Sequence, residues 1–211
     1  RSMSTASLVW ATPDAEDVIA YCARVSNPDN QNNVKTASRL LKYLRDHKHW
    51  SPFEMASVCM EINTTRDIAR QVLRHRSFSF QEFSQRYAEN LGFEEPTAPR
   101  LQDYKNRQAS IEVDDEYLDQ WWKSVQVRMA GESEFLYKQA LDRGIAKEVA
   151  RKLLPEGLTQ SRLYMAGTVR SWLHFIEVRT GPETQKEHRD LANQCLTVLQ
   201  SVSPAIFGEP S

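Results

Sequence analysis

Apolar residues recur at helical spacing along most of the chain and alternate in only a few places. Ser7 to Pro13, "SLVWATP", reads as a short strand closed by its proline. From Asp14 to Arg24, residues Val18, Ile19, Cys22 and Ala23 share a helical face. From Val34 to His47, Ala37, Leu40, Leu41 and Leu44 do the same. Pro52 breaks the pattern inside "HKHWSPFE", and the alternation over Met55 to Thr65 predicts a strand. Thr65 is placed to cap a helix from Arg66 to about Arg74. Further helices are expected over Asp115 to Arg143, Ala146 to Leu153, Thr159 to Arg179, and about Glu183 to Val202. In the last of these, Leu191, Cys195, Val198 and Leu199 form the apolar face, which assigns Glu183, Glu187 and His188 to a solvated one. Asn90 to Asp115 is polar and carries Pro96 and Pro99, so a long loop with little regular structure is expected there. Trp121 and Trp122 are adjacent, so at least one must be partly exposed or at an interface. The balance predicts an α+β fold: a helix-rich single domain over residues 3–211 around a small, mainly antiparallel sheet. Arg1 and Ser2 precede Met3 and read as a cloning remnant.

Composition narrows the functional classes. A chain of 211 residues can bury one sizeable core. Lys+Arg 27 against Asp+Glu 28 leaves no global basicity, which argues against a nucleic-acid binder and makes any anion recognition local. The three cysteines, Cys22, Cys59 and Cys195, are odd in number and lack a CxxC pair, so neither a disulfide framework nor a zinc site is expected, and a reducing cytoplasm fits. His47 and His49 have no Cys nearby and only Asp46 beside them, too few ligands for a site, so no metal is expected. No apolar run is long enough for a bilayer, and the N-terminus has no signal-peptide pattern.

Against this neutral background, "RHRSFSFQEFSQRY" (Arg74 to Tyr87) concentrates cations, hydroxyls and aromatic rings. Arg66, Arg70 and Arg74, four residues apart, add to it from one helical face, where like charges oppose the helix. Arg74 to Arg76 could complement the helix dipole. With Ser77, Ser79, Ser84 and Arg86 following, an anion site is the better reading, because guanidinium forks and hydroxyls suit phosphate. The chain has 7 glycines and no GxGxxG or Walker loop, so side chains would have to hold any nucleotide. Phe78, Phe80, Phe83 and Tyr87 are either stacking surfaces for its bases or ordinary core aromatics.

Arg74-His75-Arg76, seven further residues and then Ser84 resemble the signature of the flavin-dependent (alternative) thymidylate synthases, with Gln85, Arg86, Tyr87 and Gln71 extending the match. "CARVS" (Cys22 to Ser26), "HKHWSPFE", "VARKLLP" (Val149 to Pro155) and "RSWLHFIEVR" (Arg170 to Arg179) are similar to further segments of that family, in its order. The resemblance implies a methyltransferase that makes dTMP from dUMP for nucleotide biosynthesis. Methylenetetrahydrofolate would be the carbon donor, reduced FAD the hydride source, and NADPH the reductant of FAD. It also implies a homotetramer with shared active sites. Carried over by residue, Gln71, Arg74, Glu82, Ser84, Gln85 and Arg86 would hold dUMP, Arg151 would reach its phosphate from a neighbouring subunit, and Arg179 would contact and activate the uracil. FAD would rest on Ser51, Arg74, His75, Arg76, Glu82, Thr168, Val169, Arg170 and His174, with Ser26, His49 and Glu54 nearby. Thr168 and His174 stand where some members have Asn, Gln81 where many have Asn, and Glu183 where some have His.

The chemistry is consistent with this resemblance. Methylation at C5 needs a nucleophilic carbon, and a thiolate adding to C6 would need an electropositive, accessible cysteine. Cys22, Cys59 and Cys195 all sit in apolar contexts, so a thiol-free route is expected, with a guanidinium such as that of Arg179 stabilising developing charge. Ser84 has no evident base beside it and reads as a hydrogen-bond donor. Methylation of another pyrimidine nucleotide such as dCMP, and a small nucleic-acid-binding module, are the competing readings.

Overall fold

The computed structural model describes residues 4–89 and 91–210. Arg1 to Met3, with the remnant read there, and Asn90, the first residue of the expected loop, lie outside the described residues.

The strands are β1 (Thr5–Ala11), β2 (Ser57–Thr65), β3 (Ser79–Glu82), β4 (Arg100–Gln102), β5 (Ser110–Glu112) and β6 (Gln160–Thr168). Four of them form one sheet in the order β1-β2-β6-β3, every pair antiparallel. β2 and β6 pair along their whole length, from Ser57↔Thr168 to Thr65↔Gln160. The helices are α1 (Ala15–Ala23), α2 (Ala37–Asp46), α3 (Arg66–Val72), α4 (Glu116–Asp142), α5 (Lys147–Ala150), α6 (Val169–Arg179), α7 (Lys186–Val202) and α8 (Pro204–Phe207).

One expectation fails at the centre of the molecule. Thr159 to Arg179 is not one helix; its first half is β6, the strand between β2 and β3. Arg162, Leu163, Met165 and Ala166 are good helix formers, but a strand interior is decided by packing on both faces. Ser161, Leu163 and Met165 turn inward, while Arg162 and Tyr164 stay exposed and reach Glu61 on β2. The expected loop is also partly ordered. β4 and β5 form a hairpin, and Phe93 bridges to Thr159.

The core lies between one face of the sheet and the helices. Val58, Met60, Ile62, Leu163 and Met165 pack with Ile68, Val72, Trp172, Phe175, Leu191 and Leu199, all essentially inaccessible. Trp172 buries its indole and keeps its N–H satisfied by donating to the Val58 carbonyl at 3.1 Å. Both tryptophans of the adjacent pair on α4 are exposed, Trp121 more than Trp122. Among the described residues, no helix is long and apolar enough to cross a membrane.

Candidate active site

The sheet brings two distant stretches together. α3 leaves β2 at Thr65 and ends where Arg74-His75-Arg76 begins. The chain then enters edge strand β3, which pairs with β6 from Ser79↔Ala166 to Glu82↔Leu163. β6 runs straight into α6, whose first turn is capped by Thr168 Oγ1 accepting from the Ser171 N–H at 3.2 Å. α6 ends at Arg179. There Arg179 Nε donates to His75 Nε2 at 2.8 Å, across 104 residues of sequence.

This contact fixes the state of His75. Arginine only donates, so Nε2 must be the bare nitrogen of a neutral ring. Burial, then the charge of Arg179 and the nearby His174, lower the His75 pKa to about 4. The ring packs edge-on against Phe175 at 5.0 Å. Burial and the charge of Arg74 also lower the pKa of Arg179 itself. Among the described residues, no carboxylate pairs with Arg74, Arg76 or Arg179.

The other arginines of α3 are neutralised. Arg70 pairs with Glu156 at 2.5 Å, and Arg66 lies 3.9 Å from Glu82. The expected anion face therefore narrows to its Arg74 end. Glu82 also accepts from Ser161 Oγ at 3.1 Å. Ser84 Oγ accepts from the Arg86 N–H at 3.3 Å, closing a short turn. Gln85 is buried, and its Nε2 has no partner among the described residues. Arg86 and Arg151 come together on Glu148: Arg86 pairs with its carboxylate at 3.5 Å, and Arg151 Nε donates to its backbone carbonyl at 3.2 Å.

His188 overturns its assignment to a solvated face. It is fully buried on α7, beneath Gln71, and its ring lies edge-on to His75 at 6.5 Å. Its Nδ1 is 3.0 Å from Gln71 Oε1, Gln71 Nε2 donates to Gln185 Oε1 at 2.8 Å, and Gln185 Nε2 donates to Glu187 at 3.0 Å. Burial first, then Arg179 and His75, lower the His188 pKa to about 3. Glu187 is no free surface charge either, since Arg100 holds both its oxygens at 2.7 and 2.9 Å. Burial alone would raise the Glu187 pKa, but the bonds from Arg100, its own backbone and Gln185 hold it below the usual carboxylate range. Glu183 is exposed as expected. The missed signal was helical spacing: His188 precedes Leu191 and Ala192 by three and four residues, which puts it on the apolar stripe.

Beside this lies an open cleft of about 450 Å³ lined by Trp50, Glu54, Ser77, Arg170, Ser171 and His174, among others. Arg170 pairs with Glu54 across it at 3.4 Å. Val169 turns its side chain into the core and gives its N–H to the Ala56 carbonyl. Ser51 opens a short 3-10 turn, while Ser26 and His49 are exposed and do not line the cleft. An open cleft edged by Trp50, with the Arg170 guanidinium in its wall and Ser77 following Arg76 in the chain, has donors that a flavin dinucleotide's diphosphate needs. Gly167 keeps the sheet close to the Arg-His-Arg turn, since a Cβ there would meet the Phe78 ring at 2.5 Å.

Two of the three cysteines are buried, while Cys22 is half-buried. Cys195 is completely buried, and burial pushes its thiol up to about 12. Burial also raises the pKa of Cys59. No group of three or more His, Cys, Asp or Glu among the described residues is arranged to hold a metal ion.

Comparison with known proteins shows the family. A family model described as "Thymidylate synthase complementing protein" matches residues 7–205. The chain is 52% identical over 202 residues to a probable flavin-dependent thymidylate synthase of Paramecium bursaria Chlorella virus 1, covering 96% of this chain and 93% of the relative. It is 48% identical over 191 residues to the flavin-dependent thymidylate synthase of Synechocystis sp., covering 90% and 87%. Among solved structures, a UMP/dUMP methylase from Streptomyces cacaoi bound with 5-Br dUMP superposes with a TM-score of 0.85 at 29% identity, covering 98% of this chain and 94% of that one. By the family model and by these identities, the chain belongs to the flavin-dependent thymidylate synthases.

Proposed function

We propose that the chain methylates dUMP at C5 to give dTMP, with methylenetetrahydrofolate as carbon donor and FAD, reduced by NADPH, as cofactor. Bound FAD would supply the hydride. The observation that carries the reading is the meeting of Arg179 with Arg74-His75-Arg76, which leaves arginines without carboxylate partners around a neutral histidine. Arg74 and Arg179 repel one another unless an anion lies between them. A nucleotide phosphate or a pyrimidine gaining negative charge meets that need.

Each residue then has a task. Arg179, held through Nε by His75, keeps its terminal nitrogens for the uracil oxygens and stabilises charge as C5 becomes nucleophilic. Arg86 and Arg151, drawn together on Glu148, serve the phosphate. The buried, unpartnered Nε2 of Gln85 gains an acceptor when the nucleotide binds, as do Gln71 and Ser84. Glu82 orients the ribose side of the pocket from edge strand β3. Arg74, Arg76, Thr168, Arg170 and His174 would hold FAD, with Glu54 in the cleft wall and Ser51 next to Trp50.

We further propose a cytoplasmic homotetramer. Leu8, Val9 and Trp10 on edge strand β1, and Trp121, Phe135 and Leu136 on α4, are exposed apolar surfaces of the kind that subunit contacts cover. Light scattering coupled to gel filtration tests this directly; a monomer overturns it.

The test of activity is the visible spectrum of the purified protein, followed by single-turnover oxidation of reduced enzyme with dUMP and methylenetetrahydrofolate. Flavin absorbance and dTMP are the expected results. The Streptomyces cacaoi methylase was also solved with 5-Br UMP, so UMP and dCMP belong in the same assay. Product from either one, and none from dUMP, would replace the proposed substrate.

A further inference from the structure

A chain of side chains links the Arg179 pocket to the β4–β5 hairpin, and its hydrogen bonds converge on the Glu187 carboxylate from both sides. At the outer end, Arg100 grips Glu187 through two bonds. A carboxylate only accepts, so Gln185 turns its Nε2 toward Glu187 and its Oε1 away. That oxygen takes a hydrogen from Gln71 Nε2, which leaves Gln71 Oε1 facing His188 Nδ1 at 3.0 Å. An amide oxygen carries no proton, so Nδ1 must carry the imidazole hydrogen and Nε2 is bare. That bare nitrogen is buried and has no partner among the described residues. Turning either amide over would set oxygen against oxygen at Glu187 or nitrogen against N–H at His188.

We propose that His188 is a positioning residue for the nucleotide. With Gln185 and Glu187 it locks the Gln71 amide so that the remaining Nε2 hydrogen, a donor, faces the substrate. The group received there is an oxygen acceptor, a pyrimidine carbonyl or a phosphate oxygen, and an amino group at the same place is refused. This rests on the reading that Gln71 touches dUMP. It extends the site to the β4–β5 hairpin, because Arg100 anchors the far end of the chain.

Two measurements test it. The first is 15N NMR of histidine-labelled enzyme without substrate. A neutral Nδ1–H tautomer at His188 from pH 7 to pH 5 is expected, and the Nε2–H tautomer or a charged ring overturns the proposal. The second compares variants by dUMP binding and flavin retention. His188→Leu removes the donor and should weaken dUMP binding about tenfold with flavin retained. His188→Asn places an amide nitrogen near the lost Nδ1 and should restore most of the affinity. Glu187→Gln frees both amides to turn and should weaken dUMP comparably, which keeps the test alive if His188→Leu does not fold. Wild-type affinity in folded, flavin-bound His188→Leu or Glu187→Gln overturns the proposal. Repeating the titration with deoxyuridine assigns the acceptor: a retained penalty means an oxygen of the nucleoside, a lost one a phosphate oxygen, and both support the donor. If wild-type enzyme itself fails to bind dUMP, the functional reading falls, while the tautomer still judges the chain of bonds.

Discussion

The two ends of the row Arg66, Arg70 and Arg74 carry the same residue type and do different work. Arg66, at the start of α3, and Arg70, in its last turn, are answered by Glu82 and Glu156. Arg74, just past the helix, is answered by no carboxylate among the described residues and instead adds its charge to that of Arg179. Spacing along the helix makes the three look equivalent. What separates them is what the rest of the fold brings opposite. A carboxylate opposite makes an arginine structural, at a worth of about 0–1 kcal/mol for an exposed pair. A second cation opposite makes it a site that waits for an anion.

Changes at the unanswered end should have the largest effect. Arg179→Lys keeps the charge and loses the planar fork, so the chemical step should slow by about 10²–10³ while flavin stays bound. Single-turnover flavin oxidation beside the retained visible spectrum measures this, and a wild-type rate would move the activating role to Arg86. Next, Arg74→Ala should weaken both dUMP and FAD at least about tenfold, since a charge-assisted hydrogen bond contributes about 1.5–3 kcal/mol. Titration of each ligand decides it, and unchanged affinity for both would erase the distinction between the two ends.

A smaller effect is expected from pH. His75 and His188 have folded pKa values of about 4 and about 3, below the ordinary value of about 6.5. Between these values the unfolded chain binds protons that the folded one refuses, so stability is lost as pH falls from about 6.5 toward 4. Thermal melts across that range should show a falling midpoint, and His188→Asn should flatten the fall. The smallest effect belongs to the answered end. Arg70→Met should change stability by less than about 1 kcal/mol and leave the dUMP affinity as it was. A tenfold loss of dUMP there would return Arg70 to the site.

Much of the scaffold was legible from period alone. α1 and α2 lie within a few residues of their expected bounds, because each buries one face that its spacing advertises, and β1 and α4 lie as close to theirs although both leave large apolar side chains exposed. The Arg-His-Arg stretch announced itself by charge density in a neutral chain. β6 did not, because its helix-forming residues become a strand only when β2 and β3 arrive on either side. β3 was hidden for the same reason, inside a stretch read for its chemistry. His188 falls among charged residues with Glu183 and Glu187 in the sequence, although its position relative to Leu191, Ala192 and Cys195 places it inside. Pairing partners such as Glu148 for Arg86, or Glu156 for Arg70, are products of tertiary structure and leave no local trace.

The placement of β6 also sets when the site comes into being. The Arg179–His75 contact joins residues 104 apart, and it rides on a strand that enters the sheet between two earlier ones. Pairings of such long sequence separation are slow, because loop closure must precede any reward from contact. Insertion of β6 is then the late event of folding, and a chain halted before it holds Arg74 and Arg179 apart. Recovery of flavin binding during refolding therefore serves as a clock for that single strand, lagging the helical signal of α4, which forms from neighbours in sequence.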